Sequence, residues 1–330
     1  MSTPSATLTS YISLASAMLI VGTSVVASKV VVDTMPIYTA STLRFLLAAV
    51  ILLAIVRRSG GIPSLPLRVH LIVALEALAG LVVFNVLLLL GLDLTTAIAS
   101  GIITSSTPAV IALMSVALGD RLNLVGWTGV SLAVAGIVVV NLFGTSEATD
   151  ARRPLLGAIL VFLAVVGEAL YTVLGKVATL SLRPLPMAAL VTTYGFLLFL
   201  PFAATDIRDF HPTDIPLSGW ISILYLSVIV TVTAFALWFR GLQHVPASTA
   251  GAFTGMIPVG TILATVIFLD EPVTWLHILG VAIVVAGILL VTRGMSPSRR
   301  IAPPAARPGV TAAPATRGQG QRAVDATVDP

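Results

Sequence analysis

The chain contains no cysteine and few charged residues. Without cysteine it can form neither a disulfide nor a thiolate metal site. Only 10% of its residues are charged, whereas 57% are hydrophobic, and a soluble domain typically carries about 25% charged residues. So few charges could not cover the surface of a water-soluble chain of 330 residues. The composition therefore predicts an integral membrane protein.

Basic residues are too scattered to indicate a nucleic-acid partner. The net charge is +4, and much of the basic excess lies after Arg293. No basic helix or aromatic platform accompanies it, so no nucleic acid is expected to bind. Lys occurs only at positions 29 and 176, while Ala, Val and Gly are abundant, as in GC-rich bacterial genomes. We expect a bacterial plasma (inner) membrane protein.

The apolar residues form long runs separated by polar clusters rich in Gly and Pro. A helix crosses the hydrocarbon with about 20 apolar residues, and runs without alternation favour helices over a barrel. The first run, from Leu8 to Val32, is longer than the core of a signal peptide and predicts a retained span. Ten spans are predicted: 10–31, 37–56, 70–90, 95–118, 124–143, 155–176, 185–203, 217–240, 246–268 and 273–292.

Residues 97–141 and 247–291 are two versions of one passage. The landmarks Ala97, Gly101, Thr104, Pro108 and Asp120 recur as Ala247, Gly251, Thr254, Pro258 and Asp270. Because each half would hold five spans, an odd number, the second half must enter the membrane upside down. The predicted fold is an all-α integral membrane protein with ten transmembrane helices arranged as two inverted five-helix repeats.

Basic residues also predict the orientation. With the N-terminus in the cytoplasm, the cytoplasmic loops hold Arg57, Arg58, Arg68, Arg121, Lys176, Arg183 and Arg240, and the outer side holds Lys29, Arg152, Arg153 and Arg208. Both termini are then cytoplasmic. The predicted organisation is a cytoplasmic segment 1–9, a first repeat 10–143, a loop 144–154, a second repeat 155–292 and a disordered cytoplasmic tail 293–330.

Several short motifs carry a family resemblance. They are Ser106-Thr107-Pro108 with Ile257-Pro258, Gly119-Asp120-Arg121-Leu122 with Leu269-Asp270-Glu271-Pro272, Gly129–Val140 with Gly280–Val291, Ala169-Leu170-Tyr171-Thr172-Val173, and Leu43-Arg44-Phe45. Over residues 10–292 the chain resembles the EamA family of the drug/metabolite transporter superfamily. The resemblance implies ten helices, a central cavity lined mainly by helices one, three, four, six, eight and nine, and alternating-access export of small metabolites or amino acids. The family often has Trp where this chain has Glu168.

Glu168 is the sharpest candidate site. It lies roughly 20 Å along the sixth helix at about 1.5 Å per residue, where a charge costs several kcal/mol unless it is paired or hydrated. Tyr171 and Thr172 share its helix face. Glu168 could take up protons and couple them to transport, bind a substrate amine, or be a structural carboxylate.

Three further polar residues lie within predicted spans. Arg44 could attract a substrate carboxylate, pair with Glu168, or extend to the outer surface. Asn85 should face the interior, as a ligand or as a link between helices. Glu76 is nearer a helix end and is expected to be an interfacial group more than a ligand.

Paired prolines mark helices four and nine. A proline inside a helix frees a carbonyl about one turn back, and hydroxyls such as those of Thr104 and Thr254 could bond that region or a ligand. Pro108 and Pro258 are interpreted as kinks that form gates or cavity walls, with simple packing bends as the alternative.

Helices five and ten share small residues spaced by four. This spacing lets helix backbones approach closely, so both helices are predicted to be scaffold or dimer-contact helices, and a homodimer is one arrangement they allow. The residues are Ser131, Ala135, Ala282 and Ala286.

Other functional classes find little support. The chain lacks HExxH and GxSxG, and its His residues have no metal spacing, so no catalytic residue, metal or cofactor is expected. A channel or receptor is a minor alternative. Helices nine and ten have no Lys or Arg before Arg293, which argues against phosphate-bearing substrates. Export of amino acids or related small metabolites is favoured, and proton-coupled efflux of cationic or lipophilic compounds comes second.

Overall fold

The computed structural model describes residues 4–94, 103–143, 153–269 and 275–294, and within them the chain is built from helices. The helices are α1 Pro4–Thr34, α2 Ile37–Arg58, α3 Leu67–Ala77 continued by Leu78–Val83 and Phe84–Leu94, α4 Thr107–Ala117, α5 Leu124–Phe143, α6 Pro154–Ala178, α7 Pro184–Asp206, α8 Leu217–Tyr225 continued by Leu226–Thr233 and Ala234–Leu242, α9 Ala247–Phe253 continued by Thr254–Met256 and Ile257–Leu269, and α10 Trp275–Arg293. A short 3₁₀ turn, Ile207–Asp209, follows α7.

Some predictions concern residues outside these ranges. They are the landmarks Ala97 and Gly101, most of the loop 144–154, the motif from Asp270 to Pro272, and the tail from residue 295 onward.

Proline marks the start of several helices. Pro154 and Pro184 stand in the first turns of α6 and α7, and Pro36 directly precedes α2. The first N–H groups of a helix have no partner within it, so proline loses no hydrogen bond there. These prolines therefore separate neighbouring apolar runs without weakening either helix.

The helices suit a lipid environment. Among the described residues, seven helices are long and apolar enough to span a membrane, and three shorter apolar helices cover 107–117, 124–139 and 278–293. Large apolar side chains such as Val50, Leu71 and Ile267 are exposed on their outer faces. An apolar surface this extensive is unfavourable in water and favourable against lipid tails. The protein is therefore a multi-pass, helical membrane protein.

Helix contacts follow the same pattern in both halves. α1 packs against α8 and α9, and α6 packs against α3 and α4. α2 packs on α7, α4 on α9 and α5 on α10. If α1 to α5 are matched in order with α6 to α10, each of these contacts maps onto another of them or onto itself. The main core lies among α1, α2, α7 and α8, where Leu14, Leu52, Met187 and Phe239 are fully buried.

α5 and α10 approach each other through glycine. A methyl group added to Gly287 would lie 2.5 Å from Ala133 N, and one added to Gly136 would lie 2.8 Å from Gly280 O. Gly126 meets Gly294 at the other end of the contact, so the two helices run antiparallel. Their backbones are too close for any side chain at these positions.

The predicted small-residue stripe lies outside this contact. Ser131, Ala135, Ala282 and Ala286, which were predicted to allow close approach of a neighbouring helix, are all exposed. The physical reason is that glycine, which has no Cβ, allows a closer approach than serine or alanine. A role for the exposed stripe in a contact between two chains stays a prediction.

Irregular segments fall at equivalent places in the two halves. α3 contains the π-helical segment Leu78–Val83, and α8 contains the π-helical segment Leu226–Thr233. The chain turns at 105–106 before α4, and the 3₁₀ segment Thr254–Met256 interrupts α9. Such interruptions release backbone groups from regular helical bonding and often occur at functional sites.

Candidate functional site

Glu168 lies on α6 and faces α4. Its side chain is partly buried, and Thr107 Oγ1 at the start of α4 lies 3.1 Å from Glu168 Oε2. Thr172, one turn further along α6, is buried and donates to the Glu168 carbonyl over 3.3 Å. The carboxyl group of Glu168 is thus held inside the helix bundle by a neighbouring helix.

The Thr107 hydroxyl has two acceptors but only one proton. Thr107 Oγ1 lies 2.8 Å from Thr104 O and 3.1 Å from Glu168 Oε2. If Glu168 is ionised, Thr107 can donate to it. If Glu168 is protonated, its carboxyl can donate to Thr107 while Thr107 donates to Thr104 O. The same contact therefore accommodates both protonation states of Glu168.

The Thr104 carbonyl is available because of Pro108. Pro108 has no N–H, and Thr104 O is the carbonyl four residues earlier that such an N–H would bond. Pro108 does not kink a continuous helix; it stands in the first turn of α4, after the turn at 105–106. The hydroxyl of Thr107 thus bonds the carbonyl to which Pro108 cannot donate.

The equivalent position in the second half is arranged differently. Pro258 is the second residue of the helix Ile257–Leu269, directly after the 3₁₀ segment. Thr254 is buried and donates to Gly251 O over 2.7 Å. Position 257, which matches Thr107 at the shift of 150, holds Ile and offers no hydroxyl. The hydroxyl relay to a carboxyl is therefore found only on the α4 side of the paired breaks described here.

α6 packs closely on α3 beside Glu168. A methyl group on Gly167 would lie 2.8 Å from Ala79 O, and one on Gly80 would lie 2.5 Å from the ring of Tyr171. The Tyr171 ring also packs near Phe235 and Phe239, with centroids 6.3 and 6.2 Å away. Tyr171 thus forms an aromatic group between α3, α6 and α8, one turn from Glu168.

Arg44 contacts the π-helical segment of α8. Its Nε donates to Thr231 Oγ1 over 2.8 Å, and Thr231 Oγ1 lies 2.9 Å from Leu226 O, five residues earlier. The guanidinium carbon lies 5.3 Å from the centroid of Phe45. Among the described residues no ion pair joins Arg44 to Glu168. Arg44 thus holds α2 against the irregular part of α8.

Asn85 lies on α3 after its π-helical segment. Its side chain is exposed, and Nδ2 donates to Leu81 O over 2.5 Å. The amide therefore bonds a carbonyl of the π-helical segment in its own helix. The structure does not bring Asn85 into contact with Glu168 or Arg44 within the described residues.

Comparison with known proteins gives the family. The EamA-like transporter family matches residues 8–142 and again 155–293. The chain belongs to the EamA-like transporter family. An uncharacterized transporter of Bacillus subtilis (strain 168), YetK, is 36% identical over 282 residues, which are 85% of this chain and 86% of YetK. The uncharacterized inner membrane transporter YedA of Escherichia coli (strain K12) is 24% identical over 83% of this chain and 87% of its own.

A solved structure shares the fold of this EamA-like transporter. It superposes with a TM-score of 0.73, covering 88% of this chain and 98% of the solved chain. Its sequence identity is 21%, so the likeness concerns the fold. Together with the family match and the relatives, it identifies the chain as a membrane transporter that carries a small-molecule substrate across a lipid bilayer.

Glu76 of this EamA-like transporter is more deeply buried in the protein than the sequence indicated. An interfacial position was expected, but Glu76 is fully buried in α3 against Gly175 of α6. Gly175 has no side chain, so the α6 backbone covers the carboxyl. The glycines at 167 and 175 of α6 and at 80 of α3 were the sequence signal for this close contact, but glycine spacing alone does not identify the opposing helix.

Two charged residues stabilise the loop between α8 and α9. Lys176 of α6 donates to Leu242 O over 2.8 Å and to Gln243 O over 3.0 Å, at the end of α8. Asp120 Oδ2 accepts from Ser248 N over 3.3 Å, at the start of α9. A positive group at a helix C-terminus and a negative one at an N-terminus both favour the helix dipole. In the sequence, Lys176 had served only as a cytoplasmic charge and Asp120 only as a landmark of the repeat.

The described parts of the chain contain no cluster of metal ligands. No group of three or more His, Asp or Glu side chains there could hold a metal ion. The polar groups that meet at Glu168 are its carboxyl and the hydroxyl of Thr107, which suit protons and small polar molecules.

Proposed function

We propose that the protein is a proton-coupled exporter of amino acids or related small metabolites that works by alternating access. The observation that carries this proposal is the Thr107–Glu168 contact, in which a carboxyl inside the bundle can be bonded whether or not it holds a proton. A transporter that exchanges protons for substrate needs a group that is stable in both states.

The proposed architecture is ten membrane spans in two inverted five-helix repeats, 10–143 and 155–292. Three observations support it: the matched contacts of the two halves, the antiparallel approach of α5 to α10, and the matched interruptions in α3 and α8. Helices related by an axis in the membrane plane must run in opposite directions. The two halves would rock about the interrupted helices, where regular hydrogen bonding is weakest.

A proton and the substrate would compete for Glu168, and this competition would couple proton movement to substrate movement. When protonated, Glu168 donates to Thr107 and is neutral; when ionised, it offers a carboxylate to a substrate ammonium group. Proton release to one side would thus accompany substrate binding, and substrate release would accompany proton uptake on the other. Thr104, Thr172 and Tyr171 would line this site, and Thr254 would occupy the equivalent place beside α9.

An amino-acid substrate fits two ionisable residues of opposite sign that lie within the spans, Glu168 and Arg44. Glu168 would hold the ammonium group, and Arg44, whose guanidinium keeps N–H donors beyond the one given to Thr231, would attract the carboxylate. Asn85 would contact the substrate as it passes the C-terminal part of α3. Pro108 and Pro258 would mark the gate beside the breaks that precede α4 and interrupt α9.

A second candidate function is proton-coupled efflux of cationic or lipophilic compounds. It is favoured by the aromatic group of Tyr171, Phe235 and Phe239 near Glu168, because aromatic faces attract organic cations. Both candidates use the same carboxyl and differ in whether a substrate carboxylate is needed.

The remaining assignments follow from charge and composition. We place the protein in a bacterial plasma membrane with both termini in the cytoplasm, where residues 1–9 and 293–330 and most basic loops would lie. No enzymatic activity is proposed. The exposed small residues of α5 and α10 would serve a homodimer.

Growth protection separates the two substrate classes. Bacteria expressing the wild-type protein or Glu168→Gln, at equal amounts in the membrane, are grown with inhibitory concentrations of single amino acids or of quaternary ammonium compounds. Protection by the wild-type protein against an amino acid, lost in Glu168→Gln, is expected. Protection against the ammonium compounds alone would establish the second candidate, and protection against neither would contradict both.

A further inference from the structure

Glu76 is a carboxyl enclosed by three helices. It lies on α3, two residues before the π-helical segment Leu78–Val83, and its side chain is fully buried. Neither of its carboxyl oxygens has a hydrogen-bond partner among the described residues. A methyl group on Gly175 of α6 would lie 2.7 Å from Glu76 Oε1 and 3.3 Å from Leu242 of α8.

The Tyr171 hydroxyl shares this enclosed place. Tyr171 lies one turn before Gly175 on the same face of α6, and its hydroxyl oxygen is also buried without a partner among the described residues. The Tyr171 ring packs against Gly80 of α3, one turn after Glu76, and Gly175 of α6, one turn after Tyr171, packs against Glu76, so the phenol and the carboxyl lie side by side between the two helices. Glu168, Tyr171 and Gly175 therefore place two carboxyl groups along one side of α6, with the phenol between them.

The basic groups on the surrounding helices are engaged elsewhere or exposed. Lys176 of α6 donates to Leu242 O and Gln243 O. His70 of α3 is bonded through Nδ1 to the hydroxyl of Tyr194 on α7, and Arg240 of α8 is exposed. No ion pair with Glu76 occurs in the described residues. An ionised carboxylate in this place would be buried without compensation, which is strongly unfavourable.

We propose that Glu76 is a second proton-binding site, protonated when α3 and α6 are packed as described. When the two helices separate, the carboxyl O–H bond breaks, the proton passes to water and a carboxylate remains; repacking reverses the step. The link of this proton to transport rests on the proposed function, whereas its binding to Glu76 does not.

The oxygen count favours a proton over a metal cation. In the described residues four buried side-chain oxygens have no hydrogen-bond partner: two on Glu76, one on Tyr171 and one on Thr192 of α7. Hard cations such as Ca²⁺ take about 6–8 oxygen ligands. The neighbours Gly175, Leu242 and Ala77 add no side-chain oxygen, and a proton needs only the one carboxyl.

Infrared difference spectroscopy tests the site directly. The purified full-length protein in lipid vesicles is titrated across neutral pH, and the carbonyl stretch of protonated carboxyl groups is followed. The wild-type protein is expected to show a component at neutral pH that is absent in Glu76→Gln and retained in Glu168→Gln. Asp209→Asn, at an exposed carboxylate in the 3₁₀ turn after α7, is the control and should leave this component unchanged.

A second variant covers the case in which Glu76→Gln does not fold. Gly175→Ala places a methyl group against Glu76 Oε1 and should shift the same component. If the wild-type spectrum lacks a component sensitive to both positions, Glu76 is ionised and the proposal is wrong. A change on replacing K⁺ by Na⁺ at constant pH that is lost in Glu76→Gln would identify a metal-ion site and also overturn it. The infrared measurement uses no substrate. Its outcome therefore does not depend on whether the proposed transport function is correct.

Discussion

Thr107 Oγ1 lies 3.1 Å from Glu168 Oε2 and joins the start of α4 to the middle of α6. The same hydroxyl is 2.8 Å from Thr104 O, the carbonyl to which an N–H at position 108 would bond in a regular helix. The hydroxyl of Thr107 thus connects the break before α4 with the carboxyl of Glu168.

Thr107→Val should lower transport, and Thr107→Ser should largely retain it. Valine keeps the shape of threonine but removes the hydroxyl, a loss of about 0.5–1.5 kcal/mol per hydrogen bond. If this loss falls on the transport step, the rate falls up to about tenfold. Initial rates of substrate uptake in vesicles check this, with protein amount held equal. Equal rates for the valine and serine variants would show that the hydroxyl has no role.

Gly287→Leu should destabilise the protein, whereas Ala286→Leu should not. The two residues are adjacent on α10, but Gly287 lies against the backbone of α5 and Ala286 is exposed. Overpacking costs typically about 1–3 kcal/mol and occasionally more. Thermal unfolding in detergent, followed by tryptophan fluorescence, compares the two. Equal unfolding temperatures would contradict the described α5–α10 contact.

The two small-residue stripes of α5 show where sequence reasoning succeeded and where it stopped. The apolar runs predicted the helices closely, because length and hydrophobicity alone decide what can span a bilayer. Spacing by four, however, occurs both at Ser131 and Ala135 and at Gly129 and Ala133. Only the partner helix decides which stripe is buried, and periodicity does not contain that information.

The same limit applies to the two acidic residues. Glu168 could be predicted as a site because an acidic side chain in the middle of an apolar helix needs a partner. Its partner Thr107 lies 61 positions away, and only the packing of α4 on α6 brings them together. The distance of Glu76 from the helix end predicts an interfacial group. Its burial is instead determined by contact with Gly175 of another helix.

Asp206→Ala should destabilise the protein through the start of α2. Asp206 accepts from Tyr38 N over 2.8 Å and from Thr39 N and Oγ1 over 3.3 and 2.5 Å. Loss of a capping acceptor costs about 0.5–2 kcal/mol. The unfolding temperature should fall below that of Asp209→Ala, a change at a nearby exposed carboxylate. A drop of the same size in both variants would show that the capping bonds do not stabilise the fold.

Arg44 and Thr231 should behave as a coupled pair. A hydrogen bond to a charged group contributes about 1.5–3 kcal/mol, so Arg44→Gln and Thr231→Val should each lower stability and the double variant should lower it by less than their sum. Chemical unfolding in detergent gives the four values of this cycle. Strict additivity would mean that the 2.8 Å contact contributes nothing in solution.

The central claim is that Glu168 couples protons to transport. Purified wild-type protein and Glu168→Gln are reconstituted into vesicles, a pH gradient is imposed, and accumulation of labelled amino acids and organic cations is followed with and without a protonophore. The account predicts accumulation by the wild-type protein that the protonophore abolishes, and none by Glu168→Gln. Gradient-driven accumulation by Glu168→Gln equal to that of the wild-type protein would contradict it.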